Sequence, residues 1–449
     1  MVQHEDRALL TDLYEITMLH AYRREGMEGT AVFDLFVRKL PENRNFLIAA
    51  GLDSALGFLE SLTFNDDDIA YLSGLPPFRG HDLEHLKTFR FTGTVRAVPE
   101  GTAVFPNEPI LEVEAPIAEA QVVETYLLNQ ITFQTLAASK AARVVHAAGD
   151  AAVVDFGLRR MHGVDAGLKG ARAFHLAGVD ATSNLLAGKT YGIPVRGTMA
   201  HSYIQAHENE AEAFRQFARI YPETVLLVDT YDTLEGVRGV IDLARRLGGD
   251  FRVRAIRLDS GDLATLARES RRLLDEAGLQ DVGIFASSSL DEYAIARLRK
   301  AGAPVNGYGV GTGMGVSSDF PYLDTVYKLV EYDGKGRIKL SSEKDILPGR
   351  KQVFRRFSNG AAAGDVLAYA HETHEGIPLL QTVMGGGKRL DEGNVSLEDS
   401  RRHAREQIAA LPETLRHLAP AEPGYPVEVS PKLRRDRDEI AARFRNPDS

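Results

Sequence analysis

Short apolar runs recur through the middle of the chain, and an amphipathic segment follows most of them. The runs between residues 151 and 310 are AAVVDF, AGVDA, IPVRGT, TVLLVDT, VRAIRL, VGIFA and VNGYGV. After TVLLVDT, for example, Val237, Val240 and Ile241 stand at helical spacing, and Gly248 follows them. The later pairs repeat about every 25 to 30 residues, which is the length of a βα unit, so the pattern predicts alternating strands and helices.

The predicted strands are almost entirely apolar, so both of their faces must be covered, as in a parallel sheet. About seven or eight such units favour a closed β/α barrel, regular or irregular, over an open sheet. We place this barrel at residues 129–335.

The segments on either side of the barrel have other patterns. Residues 1–128 predict an α/β domain, in which TAVFDLFVRKL (30–40) alternates like a strand and Thr11 or Asp12 caps the first helix. The apolar stripe of that helix is Leu9, Leu10, Leu13, Ile16 and Leu19. Residues 336–449 lose the repeat and contain the glycine-rich loops LPGRK and MGGGK, and we expect this C-terminal segment to pack back on the N-terminal domain.

The composition excludes several classes of protein. The 449 residues carry a net charge of −10, which argues against a nucleic-acid partner. The chain has no cysteine, so disulfides, thiolate zinc sites and cysteine nucleophiles are excluded. MVQHEDRALL is not a signal peptide, and no apolar run approaches the ~18 residues of a membrane span. We therefore expect a cytoplasmic protein without a membrane partner.

His201 is the first candidate for chemistry. It lies in GTMAHSY (197–203), after the apolar run PVRGT and before Phe214, Phe217, Ala218 and Tyr221 at helical spacing. This places His201 at the carboxyl end of a strand, where β/α proteins carry their active sites. A lone histidine is more often structural or merely exposed. No pair of histidines has the spacing of a zinc site such as HExxH.

The strongest sign of a ligand lies after the last two predicted strands. FASSSLDEY supplies Ser288 and Ser289, and GYGVGTGMG (307–315), with glycine at five of nine positions, supplies Gly311 and Thr312. Small residues at such strand ends free backbone N–H groups for an anion, and late barrel strands are a recurrent phosphate site. The alternative is that the glycine run is only a flexible loop.

Other strand ends carry charged and aromatic side chains. Arg159 and Arg257 can grip a carboxylate or a phosphate, or form local ion pairs. Phe156 can stack on a flat ring, or belong to the core. Asp180 can face a ring nitrogen, or cap a turn, and Thr198 precedes His201 in the same loop.

Three aspartates suggest a role for Mg²⁺. Asp229, Asp259 and Asp262 can bind Mg²⁺ through a ligand's phosphates or hold ribose hydroxyls, although Asp262 is equally suited to cap a helix. We group Asp259 with His201 as candidate catalytic residues. Walker A, Rossmann GxGxxG and GxSxG elements are absent from the sequence. The residues alone indicate a barrel enzyme for a phosphorylated, sugar-containing substrate with an anionic partner.

At this point the sequence resembles the nicotinate phosphoribosyltransferase family. The matching segments keep their order from residue 9 to about 356 and include LLTDLYEITM, DFGLRR, GVDATSN, GTMAHS, RLDSGDL, GVGT and LPGRKQVFR. The resemblance implies an irregular, incomplete β/α barrel of the type II phosphoribosyltransferase kind, in a homodimer with shared active sites. It also implies condensation of nicotinate with phosphoribosyl pyrophosphate to nicotinate mononucleotide in NAD salvage, with ATP as co-substrate.

The resemblance also assigns roles to residues. His201 corresponds to the histidine that ATP phosphorylates. Tyr14, which from its own segment is only a tyrosine at the edge of a core, corresponds to the ring-stacking residue lent by the neighbouring subunit. The nicotinate pocket would contain Phe156, Arg159, Thr198 and Arg257, and we add Asp180 to the substrate-binding residues because of its own position in the sequence. The phosphate positions would be Ser288, Ser289, Gly311 and Thr312. The cysteine-rich metal site of some relatives is absent.

Three other interpretations stay open at this stage. The enzyme could use nicotinamide or quinolinate in place of nicotinate. It could be a barrel aldolase or isomerase for a sugar phosphate, with Lys169 as a Schiff-base lysine. It could also be a non-catalytic sensor of a phosphorylated ligand built on an enzyme fold.

Overall fold

A computed structural model describes residues 8–340 and 346–445 of the chain. The chain divides into two compact units: Met1–Leu136 with Tyr322–Ser449, which we call unit 1, and Ala137–Pro321, which we call unit 2. The barrel was predicted over residues 129–335, so the observed division lies inside that range at both ends.

Strands and helices alternate most regularly in the middle of the chain. The strands are β1 (Thr30–Val37), β2 (Leu47–Ile48), β3 (Thr94–Ala97), β4 (Ala103–Val104), β5 (Pro109–Pro116), β6 (Ala152–Asp155), β7 (Ala181–Thr182), β8 (Val225–Leu227), β9 (Ala255–Leu258), β10 (Gly283–Ala286), β11 (Gly307–Val310), β12 (Thr325–Tyr332), β13 (Lys335–Gly336), β14 (Lys351–Ser358), β15 (Ala361–Tyr369), β16 (Ile377–Pro378), β17 (Gln381–Gly385), β18 (Lys388–Arg389) and β19 (Val427–Val429). The helices are α1 (Leu13–Glu25), α2 (Leu52–Ser61), α3 (Asp66–Gly74), α4 (Ile117–Val122), α5 (Glu124–Ala148), α6 (Val164–Leu176), α7 (Leu185–Tyr191), α8 (His201–Gln205), α9 (Glu210–Ile220), α10 (Thr233–Leu247), α11 (Leu263–Glu276), α12 (Glu292–Lys300), α13 (Thr312–Gly315), α14 (Leu397–Ala410), α15 (Glu413–Arg416) and α16 (Pro431–Arg445). None of the helices that the structure describes is long and apolar enough to cross a membrane.

Unit 1 is built on a seven-stranded sheet in the order β13-β12-β1-β5-β3-β17-β18. Strand β12 pairs antiparallel with β1, and Leu35 lies opposite both Tyr327 and Leu111. Because β12 completes this sheet, the stretch around 325–332 belongs to unit 1 and not to the barrel. A second sheet of four strands has the order β16-β14-β15-β19.

The first predicted helix is only partly right. Ile16 and Leu19 are buried on α1, but Leu10 and Leu13 are exposed. Asp12 occupies the N-cap position without capping the helix, because its carboxylate accepts a hydrogen bond from the Thr125 hydroxyl. The stripe therefore covers one face of α1 only from its second turn onward.

Unit 2 contains six parallel strands in the order β7-β6-β11-β10-β9-β8. The irregular β/α barrel is confirmed, but the closed form with seven or eight strands is wrong, since this sheet is a half-barrel. The run IPVRGT contributes only a single bridge, between Thr182 and Val195. Pro194 within that run has no N–H to donate to a ladder, which explains why no longer strand forms there.

The helices of unit 2 follow the predicted pattern closely. Asp232 caps α10 by accepting a hydrogen bond from the Glu235 N–H at 2.9 Å, and Val237 and Val240 are fully buried. Asp262 caps α11 in the same way, through the N–H groups of Ala264 and Thr265.

Helix α9 confirms most of its predicted stripe. Phe214 is fully buried and Ala218 is buried. Tyr221 was wrongly included, because α9 ends at Ile220 and the Tyr221 ring is exposed.

We expect Phe214→Ala to destabilise unit 2 by about 3–5 kcal/mol, because a fully buried ring leaves a cavity that its neighbours fill only partly. The urea concentration at the unfolding midpoint measures the loss. Ile220→Ala on the same helix is the control, since its side chain is exposed and should cost less than about 0.5 kcal/mol. Equal midpoints for the two variants would contradict the packing described for α9.

Candidate active site

The candidate residues of unit 2 gather where its parallel strands end. Neighbouring parallel strands bring their carboxyl ends to one edge of the sheet, which is where open and closed α/β sheets bind ligands. The register pairs Asp155 at the end of β6 with Val310 of β11, and Ala286 of β10 with Leu258 of β9. Ala286 also pairs with Tyr308 of β11, so β6 and β11 end two residues beyond β9 and β10, and the loops that leave all four strands begin at the same edge of the sheet.

His201 lies between a hydroxyl and a carboxylate at this edge. It is the first residue of α8, and its Nδ1 is 3.1 Å from Thr230 Oγ1. Its Nε2 is 3.6 Å from Asp259 Oδ2, and 39% of its side chain is exposed. The imidazole is thus oriented by two neighbours while remaining accessible to a reactant.

Asp259 is itself held in place by the end of β10 and by a second aspartate. Its carboxylate accepts a short hydrogen bond from the Ser287 hydroxyl. Its backbone N–H donates to Asp229 Oδ2 at 2.8 Å, and the Ser260 hydroxyl donates to the same oxygen at 2.6 Å. The contacts join the loops after β9 and β10 to the loop after β8 that contains Asp229.

Two arginines lie close together beside these carboxylates. Arg257 Nη1 donates to Thr198 Oγ1 at 2.6 Å. Burial lowers the pKa of Arg257, the charges of Asp259 and Asp229 oppose this effect, and the charge of Arg159 adds to it. An arginine whose cation is disfavoured by burial and by a second arginine is suited to bind an anion, because the anion relieves both effects.

The loop after β6 is fixed by a buried carboxylate that the sequence analysis missed. Asp155 accepts hydrogen bonds at 2.7 Å from the Gly157 N–H and from the Thr182 hydroxyl, and burial raises its pKa. The ring of Phe156 then lies over the backbone of Gly309, where a Cβ would come within 2.6 Å of it. The signal for Asp155 was a single carboxylate at the end of an otherwise apolar strand.

The loop after β10 has an unusual backbone. Ser288 and Ser289 have φ angles of +86° and +47°, which L-residues rarely adopt. Such strain persists where the surroundings impose it, often at a ligand site, and consecutive N–H groups in turns of this kind form concave anion sites. The side chains of both serines are exposed.

The loop after β11, which we call the glycine loop, packs closely against the backbone of the loops after β6 and β10. A Cβ on Gly313 would lie 3.0 Å from the Leu290 carbonyl oxygen, and one on Gly311 would lie 3.4 Å from the Phe156 carbonyl oxygen. Thr312 begins α13 and is exposed. Glycine is therefore needed here for close approach, which is a different reason from flexibility.

Asp180 is not brought to this group. It precedes β7, its backbone N–H donates to the Val153 carbonyl, and its carboxylate accepts from the Val153 N–H at 2.8 Å. It thus stands two positions before Asp155 in the strand register. The turn-capping role, one of the two left open by the sequence, is the one that these contacts favour.

Tyr14 and Lys169 lie elsewhere. Tyr14 is on α1 of unit 1, with 46% of the residue exposed. Lys169 is on α6, where its ammonium pairs with Asp165 at 2.8 Å.

Sequence reasoning also missed Thr230 and Glu210. Thr230 belongs to VDTYDT, where the two aspartates drew attention instead. Burial raises the pKa of Glu210 to about 7, and the charges of Asp229 and Asp232 add to the effect.

Residues 8–340 and 346–445 contain no group of three or more His, Cys, Asp or Glu side chains arranged to hold a metal ion. Asp229 Oδ1 is nevertheless buried without a hydrogen-bond partner among these residues.

Comparisons with known proteins show the family to which the chain belongs. Residues 9–132 match the model of the nicotinate phosphoribosyltransferase N-terminal domain, and residues 151–319 match that of the nicotinate phosphoribosyltransferase family. The chain is 55% identical to nicotinate phosphoribosyltransferase pncB2 of Mycobacterium tuberculosis, over 95% of this chain and 92% of that protein. It is 45% identical to nicotinate phosphoribosyltransferase of Bacillus subtilis, over 81% of this chain and 76% of that protein.

A solved structure extends the agreement to the fold. The crystal structure of human nicotinic acid phosphoribosyltransferase superposes with a TM-score of 0.85 at 31% identity, covering 96% of this chain and all of that one. These matches include both unit 1 and unit 2. The chain therefore belongs to the nicotinate phosphoribosyltransferase family.

Proposed function

We propose that this protein transfers the phosphoribosyl group of phosphoribosyl pyrophosphate to nicotinate, with ATP hydrolysis coupled through a phosphohistidine at His201. The products are nicotinate mononucleotide, pyrophosphate, ADP and phosphate, and the nucleotide enters NAD synthesis. The observation that carries the proposal is the contact from His201 through Asp259 to Ser287, because it joins a nucleophilic imidazole to the loops suited to bind phosphate.

Nicotinate is a flat ring with one carboxylate. Arg257 and Arg159 supply the cations for that carboxylate, and the Thr198 hydroxyl is already fixed by Arg257 at 2.6 Å. Phe156 offers a ring face at the same edge of the sheet. Selection of the acid over the amide follows, because the neutral carboxamide gains little from two arginines.

Phosphoribosyl pyrophosphate requires two anion sites. Ser288, Ser289, Gly311 and Thr312 provide exposed hydroxyls and backbone N–H groups on adjacent loops. Asp229, with a buried oxygen that lacks a partner, and Asp259 have the oxygen chemistry to hold Mg²⁺ together with substrate phosphates. When bound, Mg²⁺ neutralises part of the pyrophosphate charge.

The transfer itself is a substitution at C1 of the ribose. The ring nitrogen of nicotinate forms the new bond, and the C1–O bond to pyrophosphate breaks with its electron pair leaving on oxygen. C1 develops oxocarbenium character, so the enzyme contributes mainly by holding ring, sugar and leaving group in line.

ATP acts through His201. An imidazole nitrogen takes the γ-phosphoryl group, ADP leaves, and water later cleaves the N–P bond to give phosphate. The modification changes the local charge by about −1.5 to −2 beside Asp259. We infer that this charge reorganises the phosphate loops and favours the closed state.

We also infer that two copies share each active site. The family resemblance makes Tyr14 the ring-stacking residue lent by the neighbouring subunit, opposite Phe156. Leu10, Leu13 and Tyr14 are all exposed at the start of α1, and clustered apolar side chains of this kind are typical of interaction surfaces.

Product analysis tests the function directly. The protein is mixed with phosphoribosyl pyrophosphate, Mg²⁺ and ATP, together with nicotinate, nicotinamide or quinolinate in separate reactions. Nicotinate should be used fastest. Preference for another pyridine would reassign the substrate, and a borohydride-trapped adduct on Lys169 would support the aldolase. Ligand binding without pyrophosphate release would support the sensor.

We expect His201→Ala to fold and to retain slow transfer while losing stimulation by ATP, because only the phosphoryl acceptor is removed. The ratio of ADP to nicotinate mononucleotide formed is the measurement. His207→Ala is the control, since its imidazole lies in the same segment but contacts the Tyr203 carbonyl. Full ATP coupling in the His201 variant would remove the assignment.

Arg257→Ala should raise the KM for nicotinate about 10- to 150-fold, the equivalent of about 1.5–3 kcal/mol for a hydrogen bond to a charged group. The KM for phosphoribosyl pyrophosphate should change much less. Arg254→Ala, which removes a surface arginine paired with Glu223, serves as the control. An unchanged nicotinate KM would argue against Arg257 as the carboxylate ligand.

Mixing Tyr14→Ala with His201→Ala tests the shared site. If Tyr14 acts in the neighbouring subunit's site, random hybrids contain one intact site each, and mixing two impaired variants should restore about a quarter of wild-type activity. Activity is measured after unfolding and refolding the two variants together. Activity no higher than the mean of the separate variants would place Tyr14 in its own subunit's site or outside any site.

A further inference from the structure

Each loop proposed to bind phosphate continues into a carboxylate that pairs with one buried lysine. Glu292 follows the Ser288–Ser289 loop as the first residue of α12, and its side chain is fully buried. Asp319 closes the turn that follows α13, and 18% of its side chain is exposed. Neither carboxylate belongs to the site described above.

One lysine of α5 joins the two carboxylates. Lys140 Nζ lies 2.7 Å from Asp319 Oδ1 and 2.5 Å from Glu292 Oε2, and its side chain is fully buried. A buried ammonium is stable only beside compensating charge, so this one fixes the positions of both partners.

Arg143, one helical turn further along α5, secures Glu292 from its other oxygen. Its Nε donates to Glu292 Oε1 at 3.0 Å, and its Nη2 donates to the Tyr293 hydroxyl at 2.9 Å. Both oxygens of Glu292 therefore face cations of α5. Lys140 and Arg143 therefore both fix the start of α12. They also fix the end of the loop that contains Ser288 and Ser289, which we call the serine loop.

The two loops also contact each other directly. Gly313 approaches the Leu290 carbonyl so closely that an added Cβ would lie 3.0 Å from that oxygen. The glycine loop is therefore fixed at Asp319 by the ion pair with Lys140, and at Gly313 by its contact with the serine loop. Displacement at either contact would alter the separation of Ser289 and Thr312.

We propose that Lys140 is a positioning residue for phosphoribosyl pyrophosphate, which sets the separation of the serine loop and the glycine loop without contacting the substrate. The proposal deepens the proposed function and rests on it. Binding of a polyanion by two loops depends on their spacing, and in catalysis a displacement of about 1 Å can lower the rate about 100-fold. Nicotinate, held by Arg257 and Thr198, should not depend on Lys140.

The test compares two ligands in two variants, Asp319→Asn and Lys140→Met. Calorimetry measures the affinity for phosphoribosyl pyrophosphate with Mg²⁺ and, separately, for nicotinate, and steady-state rates give both KM values. We expect affinity for phosphoribosyl pyrophosphate to fall about tenfold in Asp319→Asn and further in Lys140→Met, with nicotinate affinity within about twofold of wild type. Asp275→Asn, which breaks the 2.9 Å ion pair with Arg271 on α11, should leave both affinities unchanged.

Asp319→Asn decides the matter if Lys140→Met does not fold, because Asp319 is partly exposed and its loss leaves Lys140 paired with Glu292. Unchanged affinity for phosphoribosyl pyrophosphate in folded Asp319→Asn would overturn the proposal. An equal loss for both ligands would also overturn it, since that pattern indicates general damage. Product analysis on the wild type tests the proposed function separately: a wild type that binds phosphoribosyl pyrophosphate but forms no nicotinate mononucleotide contradicts that function alone.

Discussion

The parallel register of the six strands of unit 2 is the constraint on which the site depends. Phe156, Asp259 and Thr312 are far apart in the sequence, and they come to one edge of one sheet because β6, β9 and β11 end there. Each pair of strands is aligned by backbone hydrogen bonds, which fix where each loop starts to within one residue. A shift of register in β10 would move Ser287 away from Asp259 and break the link to His201.

Register fixes where the loops begin, and carboxylates paired with backbone or side-chain donors fix the course of each loop after its strand. Asp155 binds the loop after β6, and Asp229 binds the loop after β9. Glu292 and Asp319 tie the loops after β10 and β11 to α5. All four carboxylates are paired with N–H groups or with hydroxyl or ammonium donors, which is what keeps such groups stable away from water. The unit thus uses acidic side chains to shape a site that must attract anions.

The sequence predicted the parts of this arrangement that follow from periodicity and capping. Val237 and Val240 on α10, and the cap Asp262 of α11, are local signals, so they could be identified directly. The single bridge at Val195 could not, because an apolar run does not reveal whether a partner strand continues beside it. Lys140 and Glu292 were equally hidden, since each looks like an ordinary charged residue until the fold buries it. The sequence put Asp180 among the residues that follow strands, but it precedes β7. A strand of only two residues is too short for its beginning and end to be predicted from the sequence.

The proposed phosphorylation of His201 would place a dianion among several charged side chains. The imidazole lies beside Asp259, whose backbone is bound to Asp229, and Asp229 in turn helps to raise the pKa of Glu210 to about 7. A dianionic phosphoryl group added to this set is repelled by each ionised carboxylate, and the repulsion is weakened little where water is excluded. Cations would relieve this repulsion, namely Arg257, Arg159 and a metal ion carried by the substrate's phosphates. Phosphorylation of His201 would therefore strengthen binding of the metal-bound substrate, and loss of the phosphoryl group after transfer would weaken binding of the metal-bound pyrophosphate, which gives the reaction its direction.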